Sequence, residues 1–121
     1  MRKNEEGLIL IPKYNKYIEY MIDVILKLPR TEKFNIGNEY KNIMYEGLKN
    51  IMYVNKIKIN ERIYYLNKID VELNIQRILL RIMVKNRWID EKKFNVAINH
   101  ISEIGKILGG LIKLYGKNNT K

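Results

Sequence analysis

Apolar residues return at every third or fourth position through most of this 121-residue chain, and only two prolines, Pro12 and Pro29, interrupt the run. That period belongs to the α-helix. No stretch alternates apolar and polar residues as a half-buried strand would. Pro12 suits a first-turn position, where the missing N–H would have no partner anyway. Pro29 disfavours helical backbone in the residue before it, so a helix should stop there.

Four helices follow from the pattern. The first covers residues 13–28, with Tyr14, Tyr17, Ile18, Met21, Ile22, Ile25 and Leu28 on one side. The second opens between Thr31 and Gly37 and covers about 34–56, with Phe34, Tyr40, Ile43, Met44, Leu48, Ile51 and Met52 as its stripe. A polar link leads to Asn60, a suitable N-cap, with Glu61 favouring the dipole of a third helix over 61–86. Asp90 caps a fourth over 90–115, Gly116 ends it, and residues 117–121 form a polar tail. One domain over 1–121 is expected: an all-α, antiparallel, up-down four-helix bundle.

The third helix carries more information than its fold requires. At 100° per residue, Leu66, Ile69, Leu73, Leu80 and Val84 fall on one side, while Tyr64, Val71, Ile75, Ile78 and Ile82 fall on another, roughly opposite. A bundle of four helices has no central helix, so the second apolar side points to contact with another subunit. Between the two sides runs a polar stripe containing Arg77, Arg81 and Lys85 at i, i+4 and i+8. Cations at that spacing can track a phosphate backbone, and arginine can grip phosphate through two donors. A merely solvated face, with Asp70 and Glu72 pairing locally, is the plainer alternative.

The fourth helix buries Phe94, Ala97, Ile98, Ile101, Ile104, Gly105, Leu108, Ile112 and Tyr115 by the same spacing. Gly105, Gly109 and Gly110 lie inside this pattern, each costing ~1 kcal/mol against alanine. Gly105 and Gly109, four apart, would let a neighbouring helix approach closely. A phosphate-cradling loop is the weaker reading, because no strand precedes the segment and the spacing matches neither nucleotide fingerprint. Lys106 and Lys113 share a side with Lys117 and extend the basic surface.

Charge agrees with that reading. Lys and Arg number 23 against 13 Asp and Glu, a net +10, and both halves of the chain share the excess. With no basic tail, the charge lies on the folded surface, where polyanions are the natural partners. Cysteine is absent, which removes disulfides and thiolate metal sites. The lone histidine, His100, falls on the shoulder of the fourth helix, and Asp70 and Glu72 point about 200° apart on theirs. Neither a catalytic relay nor a metal site can be assembled, so no catalytic residue, metal, cofactor or small-molecule substrate is expected. No run approaches the ~18 apolar residues of a membrane span. The stretch from Leu8 to Pro12 is too short for a signal peptide. A soluble, cytoplasmic protein is expected.

Several short segments together resemble a known family. They are Leu28-Pro29-Arg30, Phe34-Asn35-Ile36-Gly37, Gln76-Arg77-Ile78-Leu79-Leu80-Arg81, and the most specific, Glu103-Ile104-Gly105-Lys106-Ile107-Leu108-Gly109-Gly110-Leu111-Ile112-Lys113. This set resembles Avd, the accessory protein of diversity-generating retroelements, although that family often has Trp where this chain has Leu111. The resemblance implies a ring-like homopentamer of four-helix bundles with a positive surface. It also implies association with a reverse transcriptase and its template RNA, and support of mutagenic cDNA synthesis by that partner. The family's basic pair falls on Arg77 and Arg81. Proteins encoded by intervening sequences of large-subunit ribosomal RNA genes are similar too. They leave open a structural or interaction role with no retroelement partner.

Overall fold

The computed structural model describes the backbone over residues 2–119 and the side chains over 9–116. Four long helices and one short one account for nearly all of it: α1 Arg2–Leu26, α2 Arg30–Phe34, α3 Ile36–Val54, α4 Ile59–Lys85 and α5 Glu91–Asn119. The described residues contain no strand. Helix α1 packs on α3 and α5, and α4 packs on the same two, so α1 and α4 stand at opposite corners of an up-down bundle.

Three boundaries differ from the sequence reading. Helix α1 does not begin after Pro12 but runs through it. Pro12 is exposed, so its ring and the carbonyl it leaves unpaired can face water. Second, the chain forms a separate turn, α2, before α3. Helix α1 closes with tight bonds from the Lys27 and Leu28 N–H groups to the carbonyls of Val24 and Ile25, and Pro29 then starts the new turn. Phe34 belongs to that turn and is 63% exposed, so it does not join the core stripe. Gly37 lets the start of α3 sit on the end of α1, because a Cβ there would lie 3.0 Å from Ile25. Third, α5 continues past Gly116 to Asn119, and α4 starts at Ile59, which places Asn60 inside its first turn. Asp90 does cap α5: its Oδ1 accepts from the Lys93 N–H at 2.8 Å.

Between α4 and α5 the chain turns through Arg87, which has φ 62°. The Trp88 N–H reaches the Met83 carbonyl and the Arg87 N–H reaches that of Val84, the paired bonds of a Schellman ending. A non-glycine residue holds a position that usually favours glycine.

Apart from Asn50, the described core is apolar except for a chain of hydroxyls and an amide at mid-height. Tyr14 donates to the Met44 carbonyl at 2.6 Å. Tyr17 donates to Gln76 Oε1 across the bundle, and since its one proton is then used, Tyr40 donates to Tyr17. Gln76 Nε2 returns to the Glu72 carbonyl at 3.1 Å. Burial raises the pKa of all three tyrosines, so the phenols stay neutral and the network stays intact.

Candidate nucleic-acid interface

Helix α4 faces inward through Leu66, Ile69, Leu73, Gln76, Leu80 and Met83, all buried. Its opposite side carries Tyr64, Val71, Ile75, Ile78 and Ile82, all exposed, with Ile78 at 52%. From Val71 onward these residues recur at alternating steps of four and three, which is the spacing of a helix–helix seam. The protein thus exposes an apolar line along a helix that also packs on two others, as the sequence reading expected.

On the α5 flank of that line stand the predicted cations. Arg77 is half-buried in the groove between α4 and α5, and its Nη1 donates to Asn74 Oδ1 at 2.6 Å. Its Nη2 rests 3.3 Å from where a Cβ on Gly105 would be. The glycine therefore seats a guanidinium and does not admit another helix. At Gly109 and Gly110 a Cβ would meet nothing within 4 Å, so the close helix approach expected at Gly109 is not made within the chain. Both are exposed.

Arg81 and Lys85 continue from Arg77 along α4, exposed. Lys106 and Lys113 are exposed on α5. Because the helices are antiparallel and Arg77 lies level with Gly105, the two sets extend in opposite directions from that crossing point. Eight residues each way at ~1.5 Å per residue spread the five cations over roughly 24 Å of the two helices. The ion pairs among the described residues are Lys13–Glu103, Lys27–Asp23 and Lys49–Glu46, none of which involves the five cations. Asp70 forms an ion pair with none of them. What the arrangement can do is hold a polyanion by several exposed charges, one of them fixed in direction by Asn74.

Elsewhere, His100 stacks on Tyr20 with ring centroids 5.4 Å apart and is half-buried, as an inter-helix packing residue. Asn50 holds Glu72 through both carboxylate oxygens, at 3.1 and 2.9 Å. Burial raises the Glu72 pKa; the Asn50 bond opposes that shift, Glu46 adds to it, and Lys68 also lowers it. Among the described residues no cluster of His, Asp or Glu could hold a metal, and no helix is long and apolar enough to cross a membrane. Sequence reasoning placed Tyr64 on an apolar side of α4 but missed its grouping with Tyr53 and Tyr65 where α3 meets α4. Tyr53 and Tyr65 stack only because two helices bring them together, and no spacing along the chain signals it.

Comparison with known proteins gives three results. The model of the family described as bAvd-like matches residues 8–115. A crystal structure of a protein with unknown function from the S23 ribosomal protein family of Bacteroides thetaiotaomicron superposes with a TM-score of 0.81. It covers 89% of this chain and 98% of its own at 18% identity, which establishes likeness of fold. No curated protein matches.

Proposed function

The chain belongs to the bAvd-like family, and from that we propose that it is a non-catalytic accessory subunit of a diversity-generating retroelement. In this reading it binds the reverse transcriptase and the template RNA and supports mutagenic cDNA synthesis, the chemistry being the polymerase's. It assembles with copies of itself, as a pentamer, through the apolar line Val71–Ile82. The observation that supports the reading is the exposed line Val71–Ile82 on α4 with Arg77, Arg81 and Lys85 on one flank of the same helix, none of them in an ion pair among the described residues. A ring formed through one flank of α4 would repeat the other flank around its circumference, multiplying phosphate contacts.

The test is light scattering of the purified protein followed by an RNA gel shift at two salt concentrations. A pentamer that shifts RNA, and less so as salt rises, is expected. Arg77→Ala with Arg81→Ala should weaken the shift while leaving mass and helicity unchanged. A monomer without RNA affinity would overturn the proposal. Unchanged affinity in a folded, assembled double variant would remove those arginines from it.

A second reading has support from the fold shared with the S23-family protein. There the chain is a structural or interaction module of the ribosomal intervening-sequence type with no polymerase partner. Co-purification with a reverse transcriptase on co-expression would exclude it.

A further inference from the structure

At the corner where α3 ends and α4 begins, three tyrosines lie together at the surface. Tyr53 stacks on Tyr65 with centroids 5.1 Å apart and planes 23° from parallel. Tyr64 meets the edge of Tyr65 at 5.0 Å and 87°. Tyr53 is 50% exposed and Tyr64 60% exposed, so each presents ring surface to solvent. Three lysines surround them. Lys68 Nζ stands 5.3 Å from the Tyr64 centroid and 6.0 Å from that of Tyr65. Lys56 and Lys49, the latter 3.7 Å from Glu46, line a shallow depression beside Tyr53.

Tyr64 falls on the extension of the apolar line, but Lys68 occupies the position between it and Val71. Pairing two copies over this stretch would take the Lys68 ammonium out of water, with only the half-buried Glu72 four residues on to offset the lost hydration. The self-pairing line therefore ends at Val71, and the tyrosines remain outside it. Aromatic rings with solvent on one face and cations at the rim match a flat, uncharged ring on an anionic backbone. That is a nucleobase on a single strand. A duplex hides its ring faces and would meet only the lysines.

We propose that Tyr53, Tyr64 and Tyr65 form a base-stacking site for single-stranded RNA, with Lys49, Lys56 and Lys68 at the flanking phosphates. The site rests on the RNA-binding reading above and extends it. It lies on the opposite flank of α4 from Arg77, about 20 Å further along the helix by the ~1.5 Å rise. The arginine track supplies charge, and this corner distinguishes unpaired from paired RNA.

Fluorescence anisotropy of the full-length protein with labelled oligouridine, and with an RNA duplex of equal length, tests it. Tyr64→Ala should lose about 5- to 150-fold in affinity for the single strand, the range of one base stack. Tyr64→Phe should stay within about twofold, since it keeps the ring. Duplex affinity should change little in either. Lys68→Ala should instead lower the salt slope for the single strand, by about 0.7 for each phosphate it no longer neutralises. Two results from the tyrosine variants overturn the proposal: Tyr64→Ala and Tyr53→Ala binding the single strand like wild type, or these variants losing self-association in light scattering. The second would make the corner a protein–protein surface. Wild-type protein that binds no RNA would bring down the function above as well. Binding that fails in Arg77→Ala with Arg81→Ala but survives the tyrosine variants would bring down this site alone.

Discussion

Replacing Gly47 with alanine tests the packing of the core most directly. In an open helix the change would stabilise by about 1 kcal/mol through propensity alone. Here the added methyl would collide with the Tyr14 hydroxyl, and it would lie 3.2 Å from Tyr14 Cζ. Tyr14 is fully buried and its hydroxyl bonds to the Met44 carbonyl at 2.6 Å. The ring cannot move aside without losing that bond, and a buried donor left unpaired costs about 1–3 kcal/mol. Overpacking adds about 1–3 kcal/mol. After the propensity gain, Gly47→Ala should destabilise by about 1–5 kcal/mol. At this chain length each kcal/mol lowers Tm by roughly 3–5 °C. Thermal and urea unfolding at one fixed protein concentration would read it, which holds any contribution from assembly constant. Tyr14→Phe in the same molecule removes the colliding oxygen, so the double variant should recover at least ~1 kcal/mol over Gly47→Ala alone. A Gly47→Ala protein as stable as wild type, or a pair of substitutions that simply add, would refute the account.

Arg87 holds a left-handed conformation at the end of α4. Arg87→Gly should therefore raise stability by about 0.5–1 kcal/mol in urea unfolding; a loss would mean that the arginine side chain makes a compensating contact. Glu72 is pushed above its ordinary 4.5 by burial. Its charged form is thus the disfavoured one in the folded state, and its contribution to stability is best below 4.5 and declines as pH rises through the elevated value. Glu72→Gln, which keeps an acceptor for Asn50, should gain on wild type at neutral pH, with the gap closing in acid; a gap that widens in acid would contradict the shift. Gly109→Ala has open space for its methyl and should stabilise the helix by about 1 kcal/mol in thermal unfolding. A drop in stability or in assembled mass would mean that a neighbouring copy packs on that glycine.

Much of the architecture could be read directly from the chain. Helix identity, the Asp90 cap and most of the buried sides of α1, α4 and α5 follow from local spacing, which depends on no distant residue, although Ile22 of the α1 stripe is exposed. The same spacing exposed the second apolar side of α4 and the Arg77, Arg81, Lys85 stripe, since both are properties of one helix. Errors occurred where a local rule had two outcomes. Pro12 can open a helix or sit within one, and its exposed position allowed the second. Phe34 has helical spacing with Tyr40 only if one helix joins them, and the break at Asn35, with φ −102° and ψ −91°, separates them.

What the sequence by itself determined is therefore the set of helices and the chemistry each carries on its sides. Those follow from a fixed rotation per residue acting on residue type. Only the tertiary structure decided which sides meet. It set Gly47 against Tyr14, Gly105 beneath Arg77, and Tyr53 upon Tyr65, pairs 33, 28 and 12 residues apart in sequence. It also buried Gln76, whose position lies on the inner side of α4 but whose polar amide gives no sign of a core partner, because Tyr17 reached it from the opposite corner. Contacts between helices depend on their relative rotation and height, and no residue's own spacing encodes either quantity.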